Sequence, residues 1–167
     1  MNILITAGNT QSPIDRVRCV TNVFSGRTGA RIATSAWSRG HRVTLATSNP
    51  YALPEVPPMP EGSEQRLAIY QYTTFDDLAA LLQEYIRSGQ FDAIIHTAAV
   101  SDYLVAGSYV PADRTFFNGR TGEWEAKRGP ATMVARDSHG KMKSDAPEMW
   151  VRMVRAPKLV DRFRSLW

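Results

Sequence analysis

Asn2-Ile3-Leu4-Ile5-Thr6-Ala7-Gly8 is a short apolar run closed by a glycine, and its reading decides the fold. A run of this length bounded by a turn signal predicts a buried strand over Asn2 to Thr6, and a second follows at Arg42 to Thr47. Between them Ile32, Ala33, Ala36 and Trp37 share one helical face, with Ser25 as the expected N-cap and Gly40 as the expected stop. Strand, helix and strand make a βαβ unit, whose parallel strands require a crossover of this kind.

Working outward, residues 49–65 carry Pro50, Pro54, Pro57, Pro58 and Pro60 and read as a surface loop. Leu67 to Tyr72 resumes as a strand. Thr74 and Asp77 have the spacing of a capping box, followed by the apolar stripe Leu78, Leu81, Leu82, Tyr85 and Ile86 and a closing Gly89. Phe91 to Thr97 is a fourth strand, apolar on both faces as a central parallel strand should be. From Gly107 to Gly140 the pattern turns polar and Gly-rich, and Asn118-Gly119 and Thr121-Gly122 mark a hairpin or flap. Trp150 to Val154 reads as a strand and Pro157 as the start of a helix. The expected class is α/β: a Rossmann-like three-layer domain with a mainly parallel sheet and an insertion at about 104–149, one domain spanning 1–167.

With 167 residues, 43% of them hydrophobic, the chain can bury a real core. No apolar run suits a membrane span, and the first residues lack the basic start of a signal peptide, so a cytoplasmic protein is expected. The formal net charge of +4 favours anionic small molecules. Basic residues are scattered without aromatic interleaving, which argues against nucleic acid as the partner. Cys19 is the single cysteine and reads as a small packed hydrophobe. His41, His96 and His139 lack metal-ligand spacing, so no protein metal site is expected, and His96 inside a strand reads as a satisfied core residue.

Ligands of a parallel α/β sheet bind beyond the C-terminal strand ends, which turns attention to the segments after Gly8 and after Thr97. The detour from Asn9 to Phe24 far exceeds the roughly 2–6 residues of an ordinary βα connection. A dinucleotide fingerprint is missing twice: no Gly-x-Gly-x-x-Gly follows the first strand, and the second ends Ala46-Thr47-Ser48-Asn49 without a ribose-binding acid. That disfavours an NAD-dependent reductase. Ser25-Gly26-Arg27-Thr28-Gly29 at a helix start suits either a phosphate held by free N–H groups, with Arg27 adding charge, or close helix packing.

Thr6-Ala7-Gly8-Asn9-Thr10-Gln11-Ser12-Pro13-Ile14-Asp15, then Val17-Arg18, Thr21-Asn22 and Ser25-Gly26-Arg27-Thr28-Gly29, resembles in order and spacing the opening of the phosphopantothenate-cysteine ligase family. Ala98-Ala99-Val100-Ser101-Asp102-Tyr103 resembles that family's Ala-Ala-Val-Ala/Ser-Asp-Tyr segment. Lys141-Met142-Lys143 is similar to its Lys-Ile-Lys segment, and Val154-Arg155-Ala156-Pro157-Lys158-Leu159-Val160 to its Val-Lys-Asn-Pro-Asp-Ile-Val. The likeness covers about half of the chain and is strongest in its first 50 residues.

The resemblance implies CTP-dependent ligation of L-cysteine to 4′-phosphopantothenate through an acyl-CMP intermediate, with Mg²⁺ accompanying the nucleotide. It implies no flavin, which belongs to the decarboxylase often fused to this ligase. Asn22 would hold the intermediate through its side-chain amide, although an ordinary turn role suits an asparagine there equally. Lys141 would be the catalytic lysine, a compact ammonium that neutralises phosphate charge. Gly8, Thr10, Asp15, Arg18, Ser25, Gly26, Arg27, Gly29, Ala98 and Ala99 would line the substrate and nucleotide sites. Asp102 would accept from the base amine or a ribose hydroxyl, or merely cap a turn, and Pro157, Lys158, Leu159 and Val160 would line the base pocket. Ala156 and Lys158 stand where the family has Asn and Asp, which leaves CTP against ATP open.

In the family another strand, a phenylalanine and a lysine pair follow the point where this sequence reaches Trp167. The resemblance therefore implies a site incomplete at its C-terminal side and an open edge on the fourth strand, which leaves a truncated chain, a split enzyme completed by a second chain, or a binding module without turnover; a homodimer is expected as in the family.

Overall fold

The computed structural model describes residues 1–54, 66–136 and 140–167. Pro57, Pro58 and Pro60 of the expected loop, and His139, lie outside the described residues. Two compact units emerge. The first comprises Met1–Ser12, Thr21–Asp102 and Ala156–Trp167, and the second Pro13–Val20 and Tyr103–Arg155.

The first unit is built on β1 (Asn2–Ala7), β4 (Arg42–Thr47), β5 (Leu67–Gln71) and β6 (Ala93–His96), all parallel in the order β5-β4-β1-β6. This is a Rossmann-like α/β sheet. On one face Ile3, Ile5, Ala7, Val43 and Leu45 meet Ala33 and Trp37 of α1 (Arg27–Ser38). Each large apolar side chain sealed there contributes on the order of 1.5–3 kcal/mol. Leu4 and Thr6, which alternation sends to the other face, are equally buried. α2 (Phe75–Arg87) carries a buried stripe of its own, Phe75, Leu78, Leu82 and Ile86. The expected stripe is therefore core, with Leu81 and Tyr85 half-buried at its margin.

The local signals for α2 hold in detail: the Thr74 hydroxyl accepts from Asp77 N–H, and the Asp77 carboxylate accepts from Thr74 N–H at 2.8 Å. Gly40 and Gly89 end their helices at φ 86° and 64°. Ser25 does not cap α1. The N-cap is Gly26 at φ 76°, with no side-chain cap bond, because the chain must turn through the left-handed region to bring the helix start against β1. The fourth strand is not central: β6 is the outer strand of the sheet as described and is half-buried throughout, which agrees with the expected open edge. Beyond Pro157 the chain makes a 3₁₀ turn at Val160–Arg162 and the short α3 (Phe163–Leu166). Among the described residues no helix is long and apolar enough to cross a membrane.

The second unit contains an antiparallel sheet, β10 (Met133–Arg136), β7 (Tyr103–Pro111) and β11 (Trp150–Arg155), in that order, with a bulge at Arg152/Met153. The expected hairpin is there as β8 (Thr115–Asn118) and β9 (Glu123–Ala126). The Asn118 carbonyl accepts from Gly122 N–H at 2.8 Å to close its turn, and Gly122 takes φ 74°. Phe117, Trp124 and Trp150 form an aromatic knot with ring centroids 4.7–5.3 Å apart. Where the chain passes between the units lie β2 (Gln11–Pro13) and β3 (Cys19–Thr21). All three residues of β3 are exposed, so Cys19 is a surface thiol and not the packed hydrophobe its type suggested.

Candidate functional site

At the C-terminal end of the parallel sheet, two loops close on each other like a zip. Ala99 N–H donates to the Gly8 carbonyl at 2.8 Å and Thr10 N–H to the Ala99 carbonyl at 3.3 Å, which extends the β1–β6 pairing beyond the strands. The Thr10 hydroxyl lies 2.9 Å from the Ser101 hydroxyl and accepts from Ser101 N–H at 2.9 Å. Both side chains are buried, so these partners satisfy groups that would otherwise be costly to bury.

Asn9 ties in a third segment. Its amide donates to the Thr21 hydroxyl at 2.7 Å and to the Asn22 carbonyl at 2.8 Å, while its Oδ1 accepts from the Ser48 hydroxyl at 2.8 Å. Asn22 then reaches across the site, its Nδ2 lying 3.2 Å from the Ala99 carbonyl and 3.3 Å from that of Val100. Its amide donor is thus spent on backbone here. Tyr72 props the same region from below, its hydroxyl donating to the Ala7 carbonyl at 2.7 Å, and burial pushes that phenol well above its ordinary pKa.

The glycines explain the closeness. A Cβ on Gly29 would lie 2.5 Å from both the Ala7 methyl and the Thr97 hydroxyl, and one on Gly26 only 3.0 Å from Gly8 N. Of the two readings of Ser25-Gly26-Arg27-Thr28-Gly29, close packing is thus visible in the geometry. Ser25 and Arg27 are exposed beside it, and the Ser25 carbonyl accepts from the Asn49 amide at 3.1 Å.

Next to this cluster, a cavity of about 180 Å³ is lined by Ala98, Asp102 and the run Pro157, Lys158, Leu159 and Val160, together with His96. Six members of the expected nucleotide set, from two segments far apart in sequence, are therefore gathered around one space. Sequence reasoning left out His96, Asn9 and Ser48. Their common signal is a polar side chain at, or just past, the C-terminal end of a sheet strand, where apolar residues would otherwise be expected. The His96 Nδ1 is 2.7 Å from the Thr6 hydroxyl, and burial lowers its pKa.

Asp15, Arg18 and Lys141 belong to the second unit. There the buried Asp15 carboxylate accepts from Val17 and Arg18 N–H at 2.9 and 2.8 Å, from the Arg18 guanidinium at 3.0 and 2.6 Å, and from Met142 N–H at 3.1 Å. The Arg18 guanidinium and these N–H groups hold the carboxyl well below the usual carboxylate range. Arg18 also donates to the Met142 carbonyl at 3.2 Å. The pair thereby pins Met142, on either side of which Lys141 and Lys143 stand exposed.

The profile of the DNA/pantothenate metabolism flavoprotein C-terminal domain matches residues 1–109. The chain belongs to this family. That is the kinship expected from the loop motifs, and the match covers the zipped loops. The family's coenzyme A biosynthesis bifunctional protein CoaBC of Escherichia coli K12 is 37% identical over 106 residues, 64% of this chain and 23% of that protein. The chain thus spans about a quarter of the length of the curated relatives it matches. The DNA/pantothenate metabolism flavoprotein of Streptococcus pneumoniae superposes with a TM-score of 0.70 at 24% identity, over 99% of this chain and 65% of that one. A mutant Cab2 in complex with phosphopantothenate-cysteine gives 0.60 at 19% identity, over 97% and 58%. At these identities the two structures establish the fold.

Proposed function

We propose that the chain carries out, or carries part of, the nucleotide-dependent ligation of L-cysteine to 4′-phosphopantothenate. The observation that supports this most is the joining of Asn9, Thr10, Asn22, Ala99 and Ser101 into one hydrogen-bonded cluster beside the cavity of Asp102 and Pro157–Val160. A relative in complex with phosphopantothenate-cysteine adds weight.

In the proposed reaction a carboxylate oxygen of 4′-phosphopantothenate bonds to the α-phosphorus of CTP, and the bond from that phosphorus to pyrophosphate breaks. The amine of cysteine then bonds to the acyl carbon, CMP departs with the bridging oxygen, and the amine gives up a proton. The chain's task is to align and to stabilise charge, because a bound acyl phosphate is already reactive towards an amine. Asn22 contributes a neutral N–H donor to an oxygen of the intermediate, exchanging one of its backbone carbonyl partners for it. Lys141 contributes positive charge to the phosphates. Asp102 and Pro157–Val160 receive the nucleoside. Mg²⁺ bound with the nucleotide would offset triphosphate charge.

One observation favours a second reading, a binding module without turnover: the Asn22 amide is already engaged by the Ala99 and Val100 carbonyls. Pyrophosphate release with CTP, Mg²⁺ and 4′-phosphopantothenate, with and without cysteine and with ATP in comparison, separates the two. Release that requires phosphopantothenate supports the ligase. Nucleotide binding without release supports the module. Adding a chain that carries the segment following the family's Val-Lys-Asn-Pro-Asp-Ile-Val, and seeing release appear, would identify a split enzyme.

A further inference from the structure

His96 takes part in none of the steps above, yet it lines the cavity together with Ala98, Val100, Ala156, Pro157 and Leu159 and the polar Ser101, Asp102 and Lys158. It sits on β6 directly across from Thr6 of β1 in the parallel register. Its Nδ1 lies 2.7 Å from the Thr6 hydroxyl oxygen, which also accepts from Ala98 N–H at 3.3 Å. With that N–H already donating to the oxygen, the hydroxyl proton is best used on Nδ1. Nδ1 then acts as acceptor, and the ring proton resides on Nε2.

Because Nδ1 is turned to Thr6, Nε2 lies on the side of the ring away from it, and the residue lines the cavity. The ring is steadied by Phe163, packed edge-on at 5.2 Å and 77°. Burial keeps the imidazole in its neutral form. The cavity wall therefore presents an oriented, uncharged N–H donor in addition to the charged residues Asp102 and Lys158. Such a donor calls for a neutral acceptor on a flat, largely apolar ligand, as a ring nitrogen or carbonyl oxygen of a heterocycle provides.

We propose that His96 Nε2–H is the donor that holds the nucleobase in the cavity of Asp102 and Pro157–Val160, an inference that rests on the nucleotide reading of this cavity. Thr6 acts as its positioning residue, fixing the tautomer from the neighbouring strand.

The test is binding of CTP and of inorganic tripolyphosphate to the full chain, measured by calorimetry for wild type, His96→Phe and His96→Gln, with thermal melts to verify folding. Phenylalanine keeps a ring without the donor, and glutamine restores an N–H. Loss of one such bond weakens CTP about tenfold in His96→Phe. In His96→Gln binding returns to within a few-fold of wild type, and tripolyphosphate binds all three chains alike. CTP binding unaltered in His96→Phe overturns the inference and leaves the nucleotide reading standing. So does a fall in tripolyphosphate binding parallel to that of CTP. Failure of wild type to bind any nucleotide overturns both.

Discussion

The two units are held together by different chemistry. In the first, the site depends on backbone contact and uncharged hydrogen bonds: glycines that admit no Cβ, hydroxyls joined to hydroxyls, and amides on carbonyls. In the second, the ion pairs Asp15–Arg18, Asp113–Arg114 and Arg136–Asp145 recur, and the Lys141–Lys143 segment is tied down through a carboxylate. The contrast teaches that one protein can place its neutral donors on a frame of uncharged hydrogen bonds and its exposed lysines beside a charged one. The uncharged bonds of the first should respond less to salt than the ion pairs of the second.

The strongest way to break this comparison is Asn22→Asp, which preserves shape but puts a negative charge beside the Ala99 and Val100 carbonyls. Under the ligase reading, phosphopantothenate-dependent pyrophosphate release falls by about 10²-fold or more, the scale of a lost oxyanion donor. A variant that turns over like wild type removes Asn22 from the mechanism. Next comes Gly29→Ala. In an ordinary helix this exchange stabilises by up to about 1 kcal/mol, but here the added methyl meets Ala7 and Thr97 at 2.5 Å. Overpacking of about 1–3 kcal/mol then outweighs the gain, and urea unfolding shows a net loss. Gly119→Ala in the second unit, with nothing within 4 Å, stays within about 0.5 kcal/mol of wild type.

Acid sharpens the comparison from the other side. Asp15 has its folded pKa depressed, so its contribution to stability is complete above the unfolded value of about 3.9 and disappears as pH falls through the folded value. Unfolding monitored by the fluorescence of Trp124 and Trp150 should show the second unit weakening below about pH 4. Asp15→Asn flattens that slope while lowering stability at neutral pH; an unchanged slope would sink the assignment. A modest loss is expected of Thr74→Ala, which removes one half of the capping box and costs about 1 kcal/mol in a thermal melt.

Legibility in the sequence divides along the same line. The βαβ start, the capping box and the stop glycines follow from local rules, and the structure bears them out at Thr74, Asp77, Gly40 and Gly89. Ser25 misled because a good capping residue lost to a tertiary demand, the approach of Gly26 to Gly8. In the sheet of the second unit β11 was legible as Trp150 to Val154, whereas β7 and β10 have weak alternation and irregular turns, and Asn118–Gly122 announced the separate hairpin. At the site, motif residues drew attention to Asn22, Ala99 and Asp102. The linkage of Asn9 to Ser48, and of Thr6 to His96, joins residues 39 and 90 positions apart and has no local signal.

A single backbone bond, Ala156 N–H to the Asp102 carbonyl at 2.8 Å, fastens the chain where it leaves the first unit and where it comes back. The entropy of closing a loop grows only logarithmically with its length, about 0.6 kcal/mol for each doubling. With the stem fixed, the turns that join the strands between Asp102 and Ala156 can lengthen or shorten over evolutionary time at little thermodynamic penalty to the loops around Asn22. Insertion size is therefore a nearly free variable for a lineage to explore, while the few residues at the stem are not.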